Sequence, residues 1–259
     1  MPVPTTSTTS HTVPQADDVV VVLLIDLARG SLLWGWSRVV CGNWLLRKVP
    51  GLRFAKAMGS GDDGGFGLKP SATRQSLFAV FDGEAAAEGF LTSSPTMAAY
   101  RAHSRECLVA VLRATSCRGL WDGKSIAVTA RTAPADLTAL PAVTDDVVSA
   151  GTAPVAALTR ASIRPSRAWA FWRYSPASEH SLAQAAGCRL AVGMGEAPLL
   201  RQATFSVWDR QEDMDAYSRQ GPHLEAIRAS QREGYFSESM FVRFKVLRLE
   251  GQFKGRAHG

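Results

Sequence analysis

Two stretches of this 259-residue sequence carry the same pattern: residues 76–82 read SLFAVFD and residues 203–209 read ATFSVWD. Phe205 follows Phe78 by 127 residues, and the Val and Asp residues of the two stretches match at the same offset. A repeat of this length indicates that one supersecondary unit has been duplicated. The chain is therefore expected to contain two modules of the same design.

Each repeat reads as strand, helix, strand, strand, helix, strand, which is the order of a ferredoxin-like module. Such a sheet covers one face with helices and needs a partner for the other face. We predict an α+β fold of two tandem ferredoxin-like modules, packed sheet to sheet as a dimeric α+β barrel within one chain. The expected boundaries are a disordered tail at 1–17, a first module at 18–118, a linker at 119–153, a second module at 154–250 and a tail at 251–259.

The composition favours a soluble, cytoplasmic protein. Hydrophobic residues make up 46% of the chain, which is ample for a core. The first 17 residues lack the basic region of a secretory signal, and no apolar run reaches membrane-spanning length. The four cysteines show neither CxxC pairs nor zinc spacing, so we expect buried, reduced thiols.

The net charge of +6 suits an acidic partner or an anionic membrane surface. The basic residues are scattered and no nucleic-acid motif accompanies them, so we expect no nucleic-acid partner. Contact with the periphery of a membrane is compatible with this charge. The simpler interpretation is a solvated basic surface.

Residues 59–64, GSGDDG, match the spacing of a dinucleotide-binding loop. That loop must follow a strand and open a helix, and here a second strand-like segment follows instead. Asp62 and Asp63 would also repel phosphate. We predict a hairpin insertion in the first module rather than a nucleotide site.

The strand at 201–208 alternates between apolar and polar residues, which predicts two different faces. Ala203 and its alternating neighbours are expected to face the helices. Gln202, Thr204 and Ser206 are then expected to point into the barrel, where they would form the polar part of an otherwise apolar pocket. The alternative is that these three side chains face water.

His223, in the motif GPHLEAIR, has Thr96 as its counterpart in the first module. Gly221 and Pro222 predict a helix start here, and the positive end of a helix dipole keeps imidazole neutral, as a metal ligand must be. The alternative is a histidine hydrogen-bonded to a nearby carbonyl. The histidines lack the spacing of an iron site built from two histidines and a carboxylate, whereas a haem needs only one such ligand.

The chain resembles the spheroidene monooxygenase family of carotenoid biosynthesis. The resemblance is close over PVAALTRASIRP (154–165), MGEAPLLRQATFSVW (194–208) and MDAYSRQGPHLEAIRASQREGYFSESMFVRF (214–244). It is looser in the first module, where KAMGSG (56–61) and RGLWDG (118–123) carry it.

This resemblance implies an oxygen-dependent enzyme that oxidises the end of an acyclic carotenoid, first to a hydroxyl and then to a keto product. It implies a haem cofactor, O₂ as co-substrate and a reduced ferredoxin as electron donor. It also implies that His223 is the iron ligand, because GPH is the one matching motif that contains a histidine. Two alternatives stay open: other haem chemistry on the same barrel, such as a dehydration, and a non-catalytic barrel that binds a hydrophobic ligand.

Overall fold

The computed structural model describes residues 18–62, 70–128, 153–173, 181–182, 184–197 and 199–258, without the side chains of 43, 222, 223 and 231. The first half contains β1 (Val19–Leu27), α1 (Leu32–Leu45), β2 (Leu52–Gly61), β3 (Pro70–Phe81), α2 (Glu84–Ser93), α3 (Pro95–His103) and β4 (Ser104–Gly119). The second contains β5 (Val155–Ile163), α4 (Ala168–Trp172), β6 (Cys188–Ala197), β7 (Arg201–Trp208), α5 (Gln211–Ser218), α6 (Gly221–Glu233), β8 (Phe236–Phe253) and β9 (Arg256–His258).

The local sequence explains these elements. The β-branched and leucine-rich run of β1 is buried along its whole length, as suits a strand covered on both faces. The helical segment is interrupted before Pro95: Ser94 separates α2 from α3, and its side chain caps α3 by accepting a hydrogen bond from Thr96 N at 3.2 Å. The predicted hairpin is confirmed, because β2 and β3 are antiparallel neighbours that flank the glycine-rich insertion.

The strands form one large antiparallel sheet with the order β4-β1-β3-β2-β6-β7-β5-β8-β9, and β4 also pairs with β8. The first eight of these strands therefore close into a ring within one chain. The two halves meet at a short junction between β2 and β6 and at a long one between β4 and β8. The fold is mixed α+β, and its two half-sheets are joined at both edges as well as packed face to face.

We call the side of the sheet that faces the interior of the ring the inner face, and the side that carries helices the outer face. The inner face holds a core built by both halves, with large contributions from Phe78, Phe205 and Phe244. Each outer face has its own, separate hydrophobic cluster beneath its helices. The molecule thus has one shared core and two outer layers that can be compared.

Two expected boundaries differ from the structure. The segment 119–153 was expected to be a linker, but Trp121 is fully buried in the shared core. The last residues were expected to be a tail, but β8 continues to the buried Phe253 and β9 pairs back on it. A large apolar side chain explains both differences, because burying it stabilises the ordered segment.

None of the described helices combines the length and the apolar character needed to cross a lipid bilayer. Cys41 is exposed rather than buried as predicted, and Cys107, Cys117 and Cys188 are partly buried. All four cysteines are free thiols.

Candidate functional site

The polar side chains of β7 lie on the outer face, so their expected inward direction is wrong. The inner core takes the odd-numbered residues 203–207. Gln202, Thr204 and Ser206 alternate onto the face beneath the helices. The physical reason is that strands of both halves enclose the inner face and exclude water, so it takes the apolar residues of β7. That these three residues line a pocket stays a prediction, now for the outer face.

The outer face of the first half is closely packed. Leu77 of β3 lies between Leu23 of β1 and Ala57 of β2. Both leucines are fully buried beneath a helix layer that includes Phe90 and Tyr100. Burial raises the pKa of the Tyr100 hydroxyl to about 12. The space between sheet and helices in this half is therefore filled with protein side chains.

The same positions of the second half carry small residues. Thr204 of β7 lies between Thr159 of β5 and Gly193 of β6, in the register that Leu77 has with its neighbours. The other outer positions of β5 and β6 nearby are also small: Ala157, Ala161, Ala191 and Gly195. Ala157, Thr159 and Ala161 stand where β1 has valine, leucine and isoleucine, whereas the β2 positions that match β6, such as Ala57, are small in the first half as well. With threonine also in place of Leu77, the second outer face forms a lower and flatter floor.

This floor is incompletely covered by the described helices. Phe241 of β8 lies beside Thr159 and is 43% exposed, whereas Val109, which holds the corresponding place beside Leu23, is buried. Thr159 and Thr204 are likewise only partly buried. The second outer face therefore exposes the aromatic side chain of Phe241, two threonine hydroxyls and a floor of small residues, to which a ligand could bind.

One end of the floor is closed by an ion pair and by aromatic packing. Arg243 Nη2 of β8 lies 2.6 Å from Asp215 Oδ1 of α5. Trp208 Nε1 donates a hydrogen bond to Ser206 Oγ at 2.9 Å, and the Trp208 and Tyr217 rings are 5.4 Å apart. Ser206 is buried, whereas Thr204 and Gln202 are only partly buried, so these two are the more accessible polar groups of β7, although Gln202 Nε2 lies 3.5 Å from the carbonyl oxygen of Ala197.

The helix that carries His223 covers part of this half. As predicted, α6 begins just before His223: Gly221 has a φ of +60°, which favours glycine, and Pro222 follows in the first turn. The His223 side chain lies outside the described residues, so its role as iron ligand stays a prediction. Among the described residues, no group of three His, Cys, Asp or Glu side chains could hold a metal ion.

The inner face was expected to offer an apolar wall to the substrate, but side chains of both halves occupy it. Trp121 is inserted there, and its Nε1 donates to Glu196 Oε1 at 2.8 Å. Lys56 Nζ lies 2.8 Å from Glu196 Oε2, and the guanidinium of the fully buried Arg160 lies 5.5 Å from the Trp121 ring. This cluster joins the two halves instead of forming a substrate channel.

A cavity of about 550 Å³ opens near the end of β1 and the turn between β8 and β9. Its lining is charged and includes Asp26, Arg105 and Glu106. Arg105 Nη2 lies 2.7 Å from Asp26 Oδ2. A lining of ion pairs is unsuited to an apolar ligand, so this cavity is a poorer candidate than the second outer face.

Sequence reasoning missed Thr159, Phe241 and the charged cluster around Trp121. A signal for the first was present: VAALTRASI has small residues where VVVVLLIDLA has large ones, and the repeat aligns the two strands. The cluster was harder to find, because its members are far apart in the sequence and meet only when the ring closes.

Comparison with known proteins identifies the family. No family model matches the chain. It is 52% identical over 242 residues to a spheroidene monooxygenase of Rubrivivax gelatinosus, covering 93% of this chain and 87% of that protein. It is 35% identical over 228 residues to the enzyme of that name in Rhodobacter capsulatus, covering 87% of this chain and 88% of that protein.

Among solved structures, an aldoxime dehydratase in complex with butyraldoxime has a similar fold. It has a TM-score of 0.55 and 12% sequence identity, over 90% of this chain and 80% of that one. The sequence relationship extends through both halves of the ring and includes the second outer face. The chain therefore belongs to the spheroidene monooxygenase family.

Proposed function

We propose that this chain is an oxygen-dependent monooxygenase that hydroxylates and then ketolates the end of an acyclic carotenoid, at a haem iron supplied with electrons by a reduced ferredoxin. The names of its relatives support an oxygenase role and a carotenoid substrate. The element order of each half supports a scaffold of two tandem ferredoxin-like modules, of the dimeric α+β barrel type.

The observation that carries the proposal is the floor of small residues on the second outer face. A haem is a wide, flat, largely apolar group, so it needs backbone close beneath it and few protruding side chains. Gly193 and Ala157 provide that approach, and Phe241 provides an apolar contact at the edge. In the first half, Val21 and Leu23 stand at the positions that match Ala157 and Thr159, and these buried side chains would leave no such space.

In this proposal, different residues of the second half hold the iron and contact the bound ligand. His223 would hold the iron, since the start of α6 favours a neutral imidazole. Thr204 and Gln202 would donate or accept hydrogen bonds at the ligand. Haem, when bound, supplies the iron at which O₂ is activated. Each hydroxylation inserts one oxygen atom into a C–H bond, and the other oxygen atom leaves as water after taking up two electrons and two protons.

The electrons require a docking partner. The net charge of +6 gives the chain a surface that attracts an acidic protein such as a ferredoxin. Lys245 is exposed on β8, next to the residues that flank the floor. We propose that the donor docks on basic residues of this half.

The test is an absorption spectrum of the purified chain, followed by product analysis with an acyclic carotenoid, O₂ and reduced ferredoxin. We expect a Soret band that follows protein concentration and hydroxylated, then ketolated, products. His223→Ala should lose the band and reduce turnover at least about 100-fold, because the residue that would hold the iron is removed.

His103→Ala is the matched control. His103 ends α3, stacks on Trp34 at 4.2 Å and lies 2.9 Å from Ser31 Oγ through its Nδ1, which is a structural setting. We expect this variant to keep its spectrum. A His223→Ala protein with an unchanged Soret band and turnover would refute the iron-ligand assignment, and a wild-type protein that takes up no haem would refute the cofactor.

A further inference from the structure

We propose that α1 is a docking surface for an anionic lipid bilayer. Four large apolar residues of this helix face solvent, which we call the α1 stripe: Leu33 (91% exposed), Trp36 (40%), Val40 (80%) and Trp44 (67%). They follow one another at intervals of three and four residues, so they form one continuous face. A contiguous apolar face of this kind marks an interaction site rather than ordinary surface.

The stripe is held away from the sheet by the opposite side of the helix. Gly35 and Gly42 are buried there. A Cβ on Gly42 would lie only 2.7 Å from the Cβ of Ala57 on β2. Because α1 approaches the sheet so closely through its glycines, the stripe on its far side cannot contribute to the core.

The sequence that contains the stripe is basic and lacks acidic residues. Residues 27–61 contain no Asp or Glu. Arg29 precedes α1, and Arg47 and Lys48 follow it; all three are exposed. None of the ion pairs in the part of the chain that the structure describes involves these three residues. Exposed cations at both ends of an apolar helix complement the negative surface of an anionic bilayer.

The residue types favour a bilayer over a protein partner. Tryptophan accumulates where lipid tails meet headgroups, and Arg and Lys extend toward the headgroups from the ends of such helices. The biological purpose of this surface rests on the proposed function, since an acyclic carotenoid dissolves in lipid and not in water. The docking itself needs neither haem nor turnover, so the two proposals can fail separately.

The test is cosedimentation of the full chain with vesicles, without substrate. We expect binding to phosphatidylcholine–phosphatidylglycerol vesicles, weaker binding at high salt, and little binding to pure phosphatidylcholine. Leu33→Ser/Val40→Ser should weaken binding at least about tenfold, because the apolar contact is lost. Leu120→Ser/Leu199→Ser, which changes two exposed leucines outside α1, should bind like the wild type.

Charge is tested by a second matched pair. Lys48→Glu should weaken binding to anionic vesicles more than Arg256→Glu, which makes the same change of charge on β9. Equal binding of the α1 variants and the wild type would overturn the proposal. So would a wild-type dimer, seen by light scattering without vesicles, that Leu33→Ser/Val40→Ser converts to monomers, because the stripe would then be a subunit interface.

Discussion

The outer faces of the two half-sheets share one repeated sequence pattern but differ in how far their side chains are buried. Beneath the helices of the first half, Leu23 and Leu77 are completely buried. At the same positions of the second half, Thr159 and Thr204 are partly exposed, and Phe241 beside them is 43% exposed. The first half fills the space between sheet and helices with buried side chains, and the second leaves part of its sheet exposed, which is where we propose that a ligand binds. Duplication allows this division, because one copy can stabilise the ring while the other loses part of its packing.

The helices follow the same division. Met97 and Tyr100 of α3 are buried, while Leu224 and Ile227, which the repeat aligns with them on α6, are only partly buried. The helix that carries His223 is therefore less tightly bound to its sheet.

The largest expected effect is on stability. Leu23→Ala should lower the free energy of unfolding by about 2–5 kcal/mol, because it leaves a cavity in a closed layer. Thr159→Ala at the matching position should cost less than about 1 kcal/mol, because the site is already partly open. Urea unfolding of the apo-proteins measures both. Similar losses for the two variants would show that the second outer face is as closely packed as the first.

A smaller effect on the free energy of unfolding is expected for Glu238 of β8, which contacts residues of both halves. Burial alone would raise the pKa of Glu238, but the amide N–H groups of Gly123 and Asp122 and the Arg160 guanidinium lower it below its ordinary value. A lowered pKa stabilises the fold above the ordinary glutamate range, and this contribution is lost as the pH falls through the lowered value.

Glu238→Gln should therefore reduce the free energy of unfolding by about 1–3 kcal/mol at pH 7, because it weakens hydrogen bonds to a charged group. The difference from the wild type should shrink as the pH is lowered below the ordinary glutamate pKa. Unfolding curves across this range test the prediction. A difference that stays constant down to acid pH would mean that the charge of Glu238 does not stabilise the fold.

The smallest effect on stability is expected for Phe241, at the edge of the floor. Phe241→Ala should destabilise the apo-protein by less than about 1 kcal/mol, because the ring is half-exposed. It should nevertheless weaken the uptake of haem measurably in a titration followed by absorbance, because the proposed site uses the Phe241 ring as an apolar contact at its edge. Val109→Ala in the first half should show the reverse: a larger loss of stability and unchanged binding.

The sequence was sufficient to predict what depends on local pattern. The repeat of SLFAVFD as ATFSVWD predicted two copies of one element order, and Gly221 with Pro222 predicted the start of α6. The direction of Thr204 could not be predicted in this way, since alternation separates two faces without saying which one is inner. The packing of Trp121 against Glu196 and Arg160 depends on ring closure, which brings together residues from distant parts of the chain.

Whether the second outer face binds haem because its residues are small is tested most directly by giving it the residues of the first outer face. In Thr159→Leu/Thr204→Leu, each threonine becomes the leucine found at the matching position of the first half. Haem is titrated into the apo-protein while absorbance is recorded, and Thr92→Leu, at an exposed position of α2, serves as control. We predict that wild type and control take up one haem per chain, and that the double variant stays folded but takes up none. A double variant that binds haem with the stoichiometry and spectrum of the wild type would show that haem does not bind on the second outer face.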